Sequence, residues 1–128
     1  MYIKYNFKTR GVGIISSIPI LKNQYIGNYL SKTELITNQS RALYDGWVET
    51  NPLGRYLNHN REFNCQLKLN GDVIKLYSLK DINKWEELTI NYLDIVNLIN
   101  LPDELIQKYQ IKDYDYIIEK IEIKSNII

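Results

Sequence analysis

The apolar residues between Val12 and Tyr92 fall in short runs, rich in β-branched and aromatic side chains and broken by turn residues. Residues 12–18 and 25–30 are two such runs, separated by Pro19 and the polar stretch Lys22-Asn23-Gln24. Residues 73–79 follow the turn signal Asn70-Gly71-Asp72, and residues 88–92 form a fourth run. Runs of this length and composition read as strands joined by turns. The spacing also predicts a helical turn or two over residues 33–43, with Leu35, Ile36 and Leu43 as its apolar contacts. Residues 58–64 are too polar and Asn-rich for a buried strand and read as a loop.

After Tyr92 the character changes. Leu101-Pro102-Asp103-Glu104 places a proline and two acids where a helix begins, and Leu105, Ile106 and Tyr109 follow at helical spacing. Residues 113–128 alternate acids, tyrosines and isoleucines, and fit either helix or strand. With 128 residues and no linker, repeat or low-complexity tail, one domain is expected.

Charge and cysteine content exclude several classes. Sixteen basic residues against fifteen acidic leave a net charge of +1, so no strong global field draws in nucleic acid or an anionic membrane. A single cysteine, Cys65, and a single histidine, His59, cannot build a Cys/His metal cluster or a disulfide framework. The first residues lack an apolar core of signal-peptide length, and no apolar run approaches the roughly 20 residues that span a bilayer. The expectation is a small soluble protein of a reducing compartment, or one indifferent to redox state. Ile, Asn, Lys and Tyr number 20, 14, 12 and 11, all with A/T-rich codons, so an isolated match at one of them carries little weight.

Single motifs are correspondingly weak. Gly11-Val12-Gly13 lacks the third glycine of a dinucleotide fingerprint and reads as a turn at the start of a strand. His59 alone is either a hydrogen-bonded structural residue or a catalyst. Glu86-Glu87 beside Lys84 reads as a solvated charge cluster. There is no recognisable carboxylate pair, Ser–His–acid set or phosphate loop.

The order of the signals says more. Gly11-x-Gly13 precedes Gly27-Asn28-Tyr29. Then comes Arg55-Tyr56-Leu57-Asn58-His59-Asn60-Arg61-Glu62-Phe63-Asn64-Cys65, and finally Asp81-Ile82-Asn83-Lys84-Trp85-Glu86-Glu87-Leu88-Thr89-Ile90-Asn91-Tyr92. This series resembles the SET-domain protein lysine methyltransferases, whose pattern runs G-x-G, R-F-x-N-H-S-x-x-P-N-C, D-I-x-x-G-E-E-L-T-x-D-Y. The stretch Glu49-Thr50-Asn51-x-Leu53-Gly54-Arg55, continued by Asn64-Cys65-Gln66-x-Lys68-Leu69, is similar to the histone H4 mono-methylating branch, while the overall size resembles the minimal SET proteins of large DNA viruses. Only 28 residues separate Tyr29 from Asn58, so the variable insert is short.

The resemblance implies a mainly β fold: small curved sheets in the SET-domain β-clip, with a pseudoknot made by residues 56–65 and 88–92. Residues 1–93 would be the SET domain, and residues 94–128 a helical or mixed C-terminal extension packed on the same domain. It further implies an S-adenosyl-L-methionine-dependent protein lysine N-methyltransferase with a histone tail as substrate, in the host nucleus in that case. Tyr92 would be the central catalytic residue and Tyr29 would wall the amine. Gly11, Val12 and Gly13 would approach the cofactor through their backbone, and Asn58 and His59 through side chain and backbone. Arg55 would lie nearby or be a surface arginine. Ile90 stands where the family often has Tyr or Phe, which implies an enzyme not restricted to mono-methylation.

Tyr109, Tyr114 and Tyr116 would either close the lysine channel or complete a small core. Cys65 matches a family zinc ligand, but the post-SET cysteines are missing, so no metal is expected. A homodimer follows only by analogy with viral relatives, and no direct nucleic-acid or membrane partner is expected. Asn60, Arg61, Phe63, Trp85, Asn91 and Leu93 depart from the family pattern, and Trp85 replaces a turn glycine, so a positive φ there would be strained. The competing reading is a catalytically degenerate SET fold that binds peptides without turnover.

Overall fold

A computed structural model describes residues 1–8, 11–37 and 40–108. Among the described residues the strands form three sheets. Strands β1 (Tyr2–Phe7) and β2 (Gly11–Ser16) pair antiparallel from Tyr2↔Ser16 to Phe7↔Gly11. A five-stranded antiparallel sheet has the order β4 (Arg41–Tyr44), β5 (Trp47–Glu49), β3 (Tyr25–Lys32), β8 (Val73–Ser78), β7 (Cys65–Asn70). The third is a two-residue parallel pair, β6 (Asn58–His59) with β9 (Thr89–Ile90).

Side-chain alternation explains the central sheet. In β8, Ile74, Leu76 and Ser78 are buried while Val73, Lys75 and Tyr77 are half-buried on the other face, the period-two pattern of a strand with one face on a core. Ile14, Ile20, Leu30, Leu53, Ile82, Leu88 and Ile90 join Ile74 and Leu76 in the most deeply buried cluster. The β7–β8 turn has Gly71 at φ +59°, as the Asn-Gly-Asp signal anticipates.

The structure corrects several expectations. The helical turn expected over residues 33–43 is absent from the described residues of that range: residues 33–37 are irregular and Arg41–Tyr44 is β4. Leu35 and Ile36 are 79% and 59% exposed, and only Leu43 packs on the core. The deciding feature is Asp45-Gly46, both at positive φ (50° and 82°) between the partners Tyr44 and Trp47. That tight turn matches the twist of two strands and makes a hairpin of the segment. The run over residues 88–92 is strand only at Thr89–Ile90, because Tyr92 opens helix α2 (Tyr92–Ile99), and the loop over residues 58–64 begins with strand β6.

Two short helices frame the site. Helix α1 (Pro52–Tyr56) starts where Asn51 accepts the Leu53 and Gly54 N–H groups at 2.9 and 3.3 Å, with Pro52 at a position that has no donor to satisfy. The same Asn51 donates from Nδ2 to Asn28 O at 2.7 Å, which fixes α1 to β3. Helix α2 is capped by Asn91, which accepts the Leu93 N–H at 3.0 Å, and ends at Asn100 in the left-handed region. Ile95, Val96, Ile99 and Leu101 bury themselves in the core. Helix α3 (Asp103–Lys108) follows Pro102, where the acids beside a proline place its start. Among the described residues, no helix is long and apolar enough to cross a membrane.

Candidate functional site

The β6–β9 pair brings two distant segments side by side. Asn58 faces Thr89 and His59 faces Ile90, and the Asn60 N–H donates to Ile90 O at 3.1 Å. Asn64, buried, secures the same seam. Its Nδ2 donates to Glu87 O at 2.8 Å while its Oδ1 accepts the Thr89 N–H at 2.9 Å. A carboxamide suits this place because it supplies donor and acceptor at once.

Tyr92 is tied to this seam at both ends. Its backbone N–H donates to His59 Nδ1 at 2.9 Å, and its hydroxyl donates to Leu57 O at 2.7 Å. The two rings stand 5.2 Å apart, tilted by 45°. Since Nδ1 accepts, the imidazole is neutral with its proton on Nε2. His59 is 6% exposed, and it satisfies one of the donors that every helix N-terminus leaves over. Burial, with the charges of Glu49 and Glu87 adding to it, holds the Tyr92 phenol well above its ordinary titration range.

Tyr29, 4% exposed on β3, is the second phenol of the region. Burial again comes first in pushing its titration up, followed by electrostatic contact with Tyr92 and Glu49. Glu49 is a buried acid, 5% exposed, which Arg41 grips through Nε and through Nη2 at 3.1 Å across the β4–β5 pair. Burial raises the Glu49 carboxyl, and Arg41 offsets part of the rise. Gly54 lies against both elements: a Cβ there would run into Tyr29 O and sit 3.2 Å from Glu49 Cα.

Gly11, Val12 and Gly13 form the first half of β2. A Cβ on Gly13 would collide with Glu87 Oε2, Asn58 Nδ2 and Phe7 Cε2, so the glycine makes room for the protein's own side chains. Gly11, exposed, has φ +80° and nothing within 4 Å of where a Cβ would be. Asn58 Nδ2 donates to Val12 O and to Glu87 Oε2, both at 3.0 Å. Glu87 is therefore half-buried rather than part of a solvated cluster, while Lys84 and Glu86 are exposed.

The remaining candidates fall out as follows. Arg55 is exposed, with its guanidinium 5.4 Å from the Tyr56 ring centroid and its charge felt at Glu49. Ile90 is fully buried beside His59. Tyr109, Tyr114 and Tyr116 lie outside the described residues. Cys65 is buried and free, and among the described residues no three His, Cys, Asp or Glu side chains form a group that could hold a metal. Trp85 adopts the positive φ of 72° expected of the missing turn glycine. Sequence reasoning overlooked Glu49, Asn64 and Glu87 as site neighbours. The partners of Asn64 and Glu87 lie more than twenty residues away, and that of Glu49 across the β4–β5 hairpin, although all three fall within the blocks of matching residues.

A SET domain family model matches residues 11–93. The chain is 30% identical over 113 residues to N-lysine methyltransferase KMT5A-A of Danio rerio, covering 66% of this chain and 33% of that protein. It is 41% identical over 58 residues to SET domain and MYND-type zinc finger protein 6 of Schizosaccharomyces pombe, covering 45% of this chain and 11% of that protein. It thus spans a third or less of the length of these relatives. A structure of a humanized mutant of the Polycomb Repressive Complex 2 of Chaetomium thermophilum matches with a TM-score of 0.54 and 23% identity, covering 72% of this chain and 15% of that one. That likeness bears on the fold.

Proposed function

The chain belongs to the SET-domain family, and from that premise we propose that it is an S-adenosylmethionine-dependent protein lysine N-methyltransferase acting on a histone tail. The observation that carries this reading is the placement of Tyr92, anchored through Leu57 O and His59 Nδ1 and electrostatically coupled to buried Tyr29. When bound, the cofactor supplies an electrophilic methyl group on a sulfonium. The chain must then align a lysine nitrogen with that methyl and keep the nitrogen unprotonated, against an ordinary pKa of about 10.4.

Buried aromatic walls do both. Desolvation disfavours the ammonium, and a ring such as that of Tyr29 restricts the approach of the side chain. Neither phenol ionises near neutral pH, so neither serves as a base, and the Tyr92 hydroxyl, held by Leu57 O, acts through its dipole. The part of these residues would be to hold the lysine nitrogen unprotonated and in line with the methyl group that a bound cofactor would supply.

The residues at the other side of the seam suit a cationic cofactor. Gly11 leaves open space, Asn58 offers a carboxamide, and Glu87 adds a negative charge. Gly11, Val12, Gly13, Asn58 and His59 are the positions that would hold it, with Arg55 on the adjoining helix α1. The KMT5A-A relative is named an N-lysine methyltransferase, which supports lysine as the acceptor.

The test is incubation of the protein with labelled cofactor and core histones, followed by mass mapping of the labelled lysine. Label on a histone lysine, lost in Tyr92→Phe with cofactor binding retained, is the expected result. Tight peptide binding with no turnover by the unaltered chain would replace the enzyme with a binding module.

A further inference from the structure

We propose that Glu87 makes the cofactor site select the cationic sulfonium over the neutral thioether product, so that spent cofactor is released readily. The inference rests on the reading of Asn58 and the Gly11–Gly13 strand as the cofactor side of the seam. Glu87 is fixed from three directions. Its carbonyl accepts from Asn64 Nδ2 at 2.8 Å, its backbone bridges to Ile15 of β2, and the next N–H, that of Leu88, donates to Ile14 O at 2.8 Å.

With the backbone clamped, the carboxylate is turned over Gly13 and accepts from Asn58 Nδ2 at 3.0 Å. Only a glycine at position 13 leaves it that place. The group is half-buried, so its field is less screened than that of an exposed acid, and it reaches the Tyr92 hydroxyl at the reaction centre. S-adenosylmethionine carries an ammonium, a carboxylate and a sulfonium. After transfer the sulfonium has become a neutral thioether and one positive charge is gone. A fixed carboxylate therefore attracts the reactant more than the product, a difference that side chains offering only hydrogen bonds would not supply.

Calorimetry on the full chain tests this with three ligands: S-adenosylmethionine, S-adenosylhomocysteine and sinefungin, which bears an ammonium in place of the sulfonium. The unaltered protein should bind the two cationic ligands more tightly than the thioether. Glu87→Gln, whose carboxamide oxygen can still accept from Asn58, should weaken the cationic ligands by about fivefold and leave the thioether nearly unchanged. A thermal melt of the unliganded variant checks that it folds. Equal weakening of all three ligands would show a merely structural Glu87 and overturn the proposal. Equal affinity of the unaltered protein for sinefungin and the thioether would overturn it with no variant needed. Failure of all three ligands to bind would instead remove the cofactor reading itself, and the role of Glu87 with it.

Discussion

His59 accepts the backbone N–H of Tyr92 on Nδ1 at 2.9 Å, so an imidazole from strand β6 forms part of the N-terminal cap of helix α2. The two residues that the family pattern separates by a long stretch are thus one mechanical unit. Replacing His59 by Ala leaves a buried donor without its partner, at a cost of about 1–3 kcal/mol. For a domain of this size that is a fall in Tm of several degrees. Asn can set an oxygen near the position of Nδ1, whereas Gln reaches toward that of Nε2. His59→Asn should therefore recover much of the loss and His59→Gln less, as read by thermal unfolding. Equal melting of all three variants would remove the capping role.

Gly54 has no room for a side chain, because a Cβ would meet Tyr29 O and the Glu49 backbone together. Gly54→Ala should cost about 1–3 kcal/mol or more, since backbone cannot yield as a flexible side chain does. Chemical denaturation of the variant against the unaltered chain checks this. Stability within 0.5 kcal/mol of the parent (about the spread of neutral surface changes) would mean that α1 shifts freely on β3.

Ile90 is fully buried next to the seam and carries no hydroxyl with which to anchor water or an amine. If turnover is found, mass spectrometry at long reaction times should show di- or trimethylated lysine. Accumulation of mono-methyl product alone would refute the expectation.

Burial pushes the Cys65 thiol up to about 12, even though a hydrogen bond with the Thr89 backbone favours the thiolate. The folded chain should resist iodoacetamide at a pH where an exposed thiol, with a pKa of about 8.5, reacts. The linkage follows from the same shift. A pKa raised in the folded state means that stability is complete below about pH 8.5 and is lost as pH rises toward 12. Denaturation midpoints that stay flat across that window, or rapid alkylation of the native chain, would contradict the buried thiol.

The parts of the fold legible in the sequence were those set by local chemistry. Alternation in residues 73–78, the Asn70-Gly71-Asp72 turn and the proline before α3 each act within a few residues. Strand β1 escaped notice because Ile3 and Tyr5 point outward and blur the pattern of a half-buried strand. The β4–β5 hairpin and helix α1 did have local signatures, in Asp45-Gly46 and Asn51-Pro52, and these outweigh the apolar spacing that suggested a helix over residues 33–43. The order of the blocks also singled out Tyr92, Asn58 and His59, which the structure brings together along the β6–β9 seam. Glu87 could not be singled out in that way, since its meaning comes from Gly13 and Asn58, which reach it only through the tertiary fold.

The parallel pair β6–β9 consists of only two residue partners, yet it joins parts of the chain separated by two strands of the central sheet. Closing such a loop costs entropy that so short a ladder returns only in part, so the pair forms after the sheet that precedes it. Ile90 of the pair and the adjacent Leu88 belong to the most deeply buried cluster, so the seam that gathers Tyr92, His59 and Asn58 should come apart only together with the core.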